Sequence, residues 1–156
     1  MQLSIILVII SLCSAETFSL DTRRSSVEFE IVTPMGPILA DGGLIGGTLE
    51  RSKTKTELEV VGGNLSLKSG SISARSMANI LLNQFSAQKV LARGTVKADN
   101  NAATTISALG QTHRRTIPVR IKELSSSEIE VVGSFPKENF MNMEGRAVFR
   151  LLFRRI

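Results

Sequence analysis

Residues 110–119 read Gly110-Gln111-Thr112-His113-Arg114-Arg115-Thr116-Ile117-Pro118-Val119, and the fold turns on this stretch. It holds the single histidine of the chain. Beyond it, residues 116–121 alternate strictly, with Ile117, Val119 and Ile121 on one side and Thr116, Pro118 and Arg120 on the other. That is a strand with one dry and one wet face. Residues 104–109, before it, are small and β-branched and read as its hairpin partner. The piece between reads as a polar turn, and its neighbours decide whether it carries chemistry or only connects.

Working outward, the same period recurs. Residues 26–33 place Val27, Phe29 and Ile31 inward against Glu28 and Glu30, and Pro34 and Gly36 end the run. Residues 17–20 are a shorter strand before it, separated by a polar turn at 21–25. Residues 38–50 carry glycines at 42, 43, 46 and 47, which in a strand mark bulges where a sheet must curl. Residues 57–61 and 64–67 flank Gly62 and Gly63, as a hairpin or as one long strand with a bulge. Residues 90–98 alternate again, and Asp99, Asn100 and Asn101 make a turn. Residues 121–127 read as a turn, 128–135 as a strand, 136–145 as a polar loop and 146–154 as a last strand. In that last run Arg146, Arg150 and Arg154 oppose Ala147, Phe149, Leu151 and Phe153. Only residues 73–85 break the pattern: Met77, Ile80, Leu81 and Phe85 fall at helical spacing, predicting one short amphipathic helix. Such a helix plugs one end of a barrel, or lies as a lid over a ligand.

Residues 3–12 are an apolar run of signal-peptide length, too short for the roughly 20 residues a membrane-spanning helix needs. Cleavage after Ala15 predicts a leader at 1–15 and one domain at 16–156, periplasmic or secreted. Acylation at Cys13 is the competing expectation, disfavoured because Leu12 is too large for the position before a lipidated cysteine. Without Cys13 the remaining chain has neither a disulfide nor a thiol nucleophile. Nineteen Lys and Arg against fourteen Asp and Glu make the protein cationic, which suits an anionic membrane surface as partner. Nucleic acid is excluded as a partner, because stacking platforms need exposed aromatic faces and the chain has no Tyr or Trp.

Catalytic patterns are missing. No G-x-S-x-G turn accompanies His113, and one histidine with scattered carboxylates gives no metal-ligand spacing. Glu28 with Glu30, and Glu128 with Glu130, are spaced two apart, as outward strand positions rather than an acid–base pair. The expectation is no enzyme, no metal and no cofactor. Arg114 and Arg115, with Arg146, Arg150, Arg154 and Arg155, form the richest basic cluster, read first as solvated strand faces and second as a docking surface.

Gly110, Thr112, Thr116, Ile117, Pro118 and Val119 stand in a spacing that resembles the hairpin signature of the YceI-like family of exported bacterial proteins. Phe18-Ser19-Leu20-Asp21 and Ser25-Ser26-Val27-Glu28-Phe29 are similar to its first two strands, and Gly133-Ser134-Phe135 leads to a final strand in the same way. The chain departs from that family at Asn83-Gln84-Phe85, where Asp-Phe-Phe is typical, and in its short tail.

The resemblance implies an all-β fold: an extended eight-stranded antiparallel lipocalin-like barrel with one short helical insertion, enclosing a polyisoprenoid or lipid-like amphiphile. Eight or nine β runs fit such a barrel, either filled by its own side chains or wrapped around one ligand. The expected lining is Phe29, Ile31, Ile80, Leu81, Phe85, Val96, Ile106, Ile117, Val119, Val131, Phe149 and Leu151, with Thr112, His113 and Arg115 meeting a polar head group. The competing class is a filled barrel that docks to a membrane or protein, and a homodimer through sheet edges stays open.

Overall fold

The computed structural model describes residues 15–76, 79, 90–97, 99–108, 111–140 and 143–156. Nine strands are present among them: β1 (Glu16–Leu20), β2 (Ser26–Thr33), β3 (Gly36–Arg51), β4 (Thr56–Ser69), β5 (Val90–Val96), β6 (Asn101–Ala108), β7 (Gln111–Ser125), β8 (Glu128–Phe140) and β9 (Met143–Arg155). All pairings are antiparallel. Because β4 pairs back onto β3, the sheet runs β3-β2-β9-β8-β7-β6-β5-β4 and closes on itself. It is the eight-stranded antiparallel barrel that the resemblance implies. A helical turn at residues 72–76 follows β4, and the remainder of the expected helix, Ile80, Leu81 and Phe85 included, lies outside the described residues.

The ninth strand needs no ninth position. β1 and β2 lie end to end in one place in the wall, β1 against residues 48–51 of β3 and 153–155 of β9, β2 against 36–42 and 144–150. Ser19 faces Thr48 and Arg154 while Val27 faces Gly42 and Phe149, so the turn at 21–25 inserts two extra residues relative to β3 and three relative to β9. That insertion leaves the backbone of Leu152 without a ladder partner. Asp21 N–H donates to the Leu152 carbonyl at 2.8 Å, and Leu152 N–H donates to Ser25 Oγ at 2.8 Å, so both groups are satisfied. The Asp21 carboxylate then accepts from Arg23 N at 3.1 Å and Arg24 N at 3.2 Å, which fixes the turn.

Several boundaries differ from the sequence reading. Residues 111–115 and 122–125 belong to β7, and most of 136–145 is the long β8–β9 hairpin, where the pattern suggests turns and a loop. At this end of the barrel the interior face is also wet: His113 and Arg115 share the inward parity of Ile117 yet are exposed. With both faces solvated, period two vanishes from the sequence although the strand continues. Glycines 62 and 63 lie inside one long strand, not in a hairpin, and register shifts occur in β3 at Gly42/Leu44 and Leu44/Gly46 as the paired glycines predict.

Close approach of β3 to β4 explains one of those glycines. A Cβ on Gly47 would lie 2.5 Å from the Glu59 carbonyl oxygen and 3.2 Å from Val60 Cα, whereas one on Gly46 would meet nothing within 4 Å. Backbone cannot move aside as a side chain can. Gly47→Ala is therefore expected to destabilise the barrel by about 1–3 kcal/mol in urea unfolding, and Gly46→Ala to stay within about 0.5 kcal/mol of wild type. Equal losses would contradict this packing.

Candidate functional site

The barrel interior divides into two halves. At the end where β1 lies, Phe18, Leu49, Ile129, Val131 and Phe153 are at most 1% exposed, and Val96, Ala102, Ile117, Val119, Phe149 and Leu151 close around them. This half is filled by its own side chains. Toward the other end the same faces change character: Phe29 and Ile31 on β2, Val60 on β4, Ala92 and Gly94 on β5 and Ile106 on β6 are only half-buried. Ala92 faces Val60 on one side and Ile106 on the other, so these three form one continuous patch of wall, and Phe29 and Ile31 lie apart from it on β2. An inward position that keeps accessible area borders space that a probe can reach. Gly94 enlarges that space, since a Cβ there would come only within 3.7 Å of Thr104 Oγ1.

A smaller cluster lies at the far end. Ile38 and the helical Ala74 are fully buried, with Ile31 and Leu67 packed on them, so the helical turn covers part of the mouth. Met35 and Ile72 stand exposed beside it, joined through Ser71 Oγ donating to the Met35 carbonyl at 3.3 Å.

The predicted lining residues separate accordingly. Val96, Ile117, Val119, Val131, Phe149 and Leu151 sit in the sealed half, and Phe29, Ile31 and Ile106 border the accessible half. His113 lies next to Ile106 and Arg115 next to Thr104, both on inward positions at the mouth. Thr112 is on the opposite face, with its hydroxyl 3.4 Å from that of Ser107. Val60, Ala92 and Gly94 were missed. Their alternation was legible, but the small side chains of Ala92 and Gly94 give little hydrophobic signal.

The tail arginines do not form a bare basic surface. Arg146 pairs with Glu30, its direct cross-strand neighbour, through Nε at 2.8 Å; Arg150 pairs with Glu130 through Nη2 at 2.7 Å. Arg154 lies 3.8 Å from both Asp21 and Glu128, and Arg155 is 3.1 Å from Glu16. These are exposed cross-strand pairs, each contributing roughly 0–1 kcal/mol. A shallow outer hollow lined by Glu30, Val32, Glu144, Gly145 and Arg146 contains one such pair.

Arg51 bridges three strands by bonding Glu16 at 2.8 Å and also Glu123. Its hydrogen bond holds the Glu16 carboxyl below its ordinary 4.5, against a smaller opposing effect of burial and with help from Arg155. A depressed carboxylate contributes stability that is present above its unfolded value and lost as pH falls through the folded one. Glu16→Gln is expected to flatten the loss of stability below pH 4.5. Acid-unfolding curves of the two proteins that superimpose would contradict it.

No group of His, Cys, Asp and Glu placed to hold a metal ion occurs among the described residues, and no helix among them is long and apolar enough to cross a membrane. No protein-family model and no curated sequence matches the chain. Among solved structures, it is similar to a polyisoprenoid binding domain from Saccharophagus degradans implicated in plant cell wall breakdown. The TM-score is 0.58 at 12% identity, over 89% of this chain and 98% of that one. At this identity the likeness establishes the fold alone.

Proposed function

We propose that the chain is an exported, non-catalytic binding protein that encloses the apolar length of a polyisoprenoid or similar amphiphile in the accessible half of its barrel. The observation that carries this reading is that the inward residues Val60, Ala92 and Ile106, and separately Phe29 and Ile31 on β2, keep accessible area while the other half of the interior is sealed. The likeness to a polyisoprenoid binding domain supports the same ligand class. Burial of about 500 Å² of chain would supply roughly 12 kcal/mol, which leaves the roughly 8 kcal/mol of micromolar binding after about 4 kcal/mol of association losses. His113 and Arg115, on inward positions at the mouth, would meet an anionic or polar head group. Residues 1–15 would act as the leader that directs export.

A dansyl-labelled farnesyl chain is a suitable probe. Saturable binding at micromolar concentration, with a blue shift of dansyl emission, is the expected result; emission that never saturates would contradict the reading. The second reading, a filled barrel acting as an interaction protein, is favoured by the sealed half around Phe18 and Phe153 and would gain from that outcome.

A further inference from the structure

The barrel wall is not uniformly paired. β7 and β8 are matched only from Val119 opposite Gly133 to Ser125 opposite Glu128, although β7 begins at Gln111 and β8 runs to Phe140. Residues 111–118 of β7 pair with β6 alone, and residues 134, 135 and 138–140 of β8 pair with β9 alone. The wall forks. Its other neighbouring strands stay matched along nearly the whole of the shorter partner.

Two prolines account for the fork. Val119 N–H donates to the carbonyl of Asn100, just before β6, at 2.9 Å, so by alternation Pro118, Thr116 and Arg114 direct their backbone groups toward β8. Continuing the register past Arg120 opposite Val132, the next hydrogen-bonded pairs would be Pro118 with Ser134 and Thr116 with Pro136. Each contains a residue with no N–H to give. Each of two successive rungs thus loses one of its two hydrogen bonds, one through each strand. β8 then takes a bulge between Phe135 and Glu138 that bends it along β9, and the Arg114 carbonyl receives Arg115 Nη1 at 2.7 Å in place of a strand.

Where the seam begins to part, Phe135 lies tilted against Phe149 at 5.7 Å between ring centroids and Ile117 is buried below, while His113 and Arg115 stand exposed toward the mouth. Proline-guarded edges resist strand addition, which argues against an extended peptide as occupant. A flexible hydrocarbon needs no backbone partner. We propose that the β7–β8 fork is a lateral portal through which the apolar chain of the ligand slides into the barrel, a proposal that rests on the lipid-binding reading above.

The test restores the missing donors with Pro118→Val and Pro136→Thr, singly and together, and follows exchange of the dansyl-farnesyl probe between protein and phosphatidylcholine vesicles by stopped flow. With the seam zipped, exchange slows by about tenfold or more while equilibrium affinity changes less than about twofold. Unchanged rates in a folded variant would overturn the portal and leave the binding reading standing. A wild-type protein that takes up no probe would overturn the binding reading, and the portal with it. A ligand-free check covers variants that fail to fold: in wild type, the amides of Thr112, Arg114 and Thr116 exchange with deuterium rapidly while those of Arg120 and Lys122 are protected. Protection at Arg114 and Thr116 would mean that the fork is closed and the portal absent.

Discussion

Phe153→Ala is expected to cost about 3–5 kcal/mol, the largest single loss in the chain, and to lower the melting temperature by roughly 10–20 °C. Phe153 is fully buried on β9, opposite Ile129 on β8 and Leu20 on β1. It therefore joins the interrupted strand to the barrel as well as filling the core. Truncation leaves a cavity among Phe18, Leu49 and Ile129 that strands paired on both sides cannot collapse to fill. The comparison that gives the result meaning is Phe29→Ala. Phe29 is half-buried in the accessible half, and its loss should cost less than about 2 kcal/mol because less packing is surrendered. Urea unfolding of both variants tests the division of the interior, and similar costs would erase it.

Ala92→Phe is expected to abolish binding of the farnesyl probe while leaving the fold intact. Ala92 stands in the middle of the half-buried patch, between Val60 and Ile106, where a phenyl ring would occupy the ligand's place. A chain denied about 100 Å² of contact loses ~2.5 kcal/mol, close to a hundredfold in affinity. Circular dichroism and the urea midpoint should match wild type, since the ring enters accessible space rather than packed core. Full binding in a stable Ala92→Phe protein would place the ligand elsewhere.

Much of this was legible in the residues. Where one face of a strand is dry, as in residues 26–33, 90–96, 117–121 and 146–153, alternation assigned inward and outward sides that the register reproduces. The outward carboxylates Glu30 and Glu130 were legible for the same reason, although their pairing with Arg146 and Arg150 depends on strands far apart in the chain. Strand ends near His113 were not legible because solvent reaches both faces there, and those in residues 136–145 because their polar residues carry no period. The union of β1 and β2 in one position was hidden too. A polar turn at 21–25 looks the same whether the chain reverses or continues, and only pairing to β3 and β9 separates the two.

The fork illustrates the limit most clearly. Pro118 was visible as an outward strand residue and Pro136 as the start of a loop. That both fall on hydrogen-bonding positions of one seam follows from the register of Val119 with Gly133 and from nothing local. The site shows the same division, since the small residues Ala92 and Gly94 matter for the space they leave.

The central claim is that the accessible half of the barrel holds an apolar ligand. Its most direct test is native mass spectrometry of the protein purified from a host that exports it, followed by organic extraction and analysis of what is released. The account predicts a stoichiometric adduct, extracted as an isoprenoid or lipid and missing from Ala92→Phe. A bare mass that stays unchanged after incubation with polyprenyl lipids would contradict it.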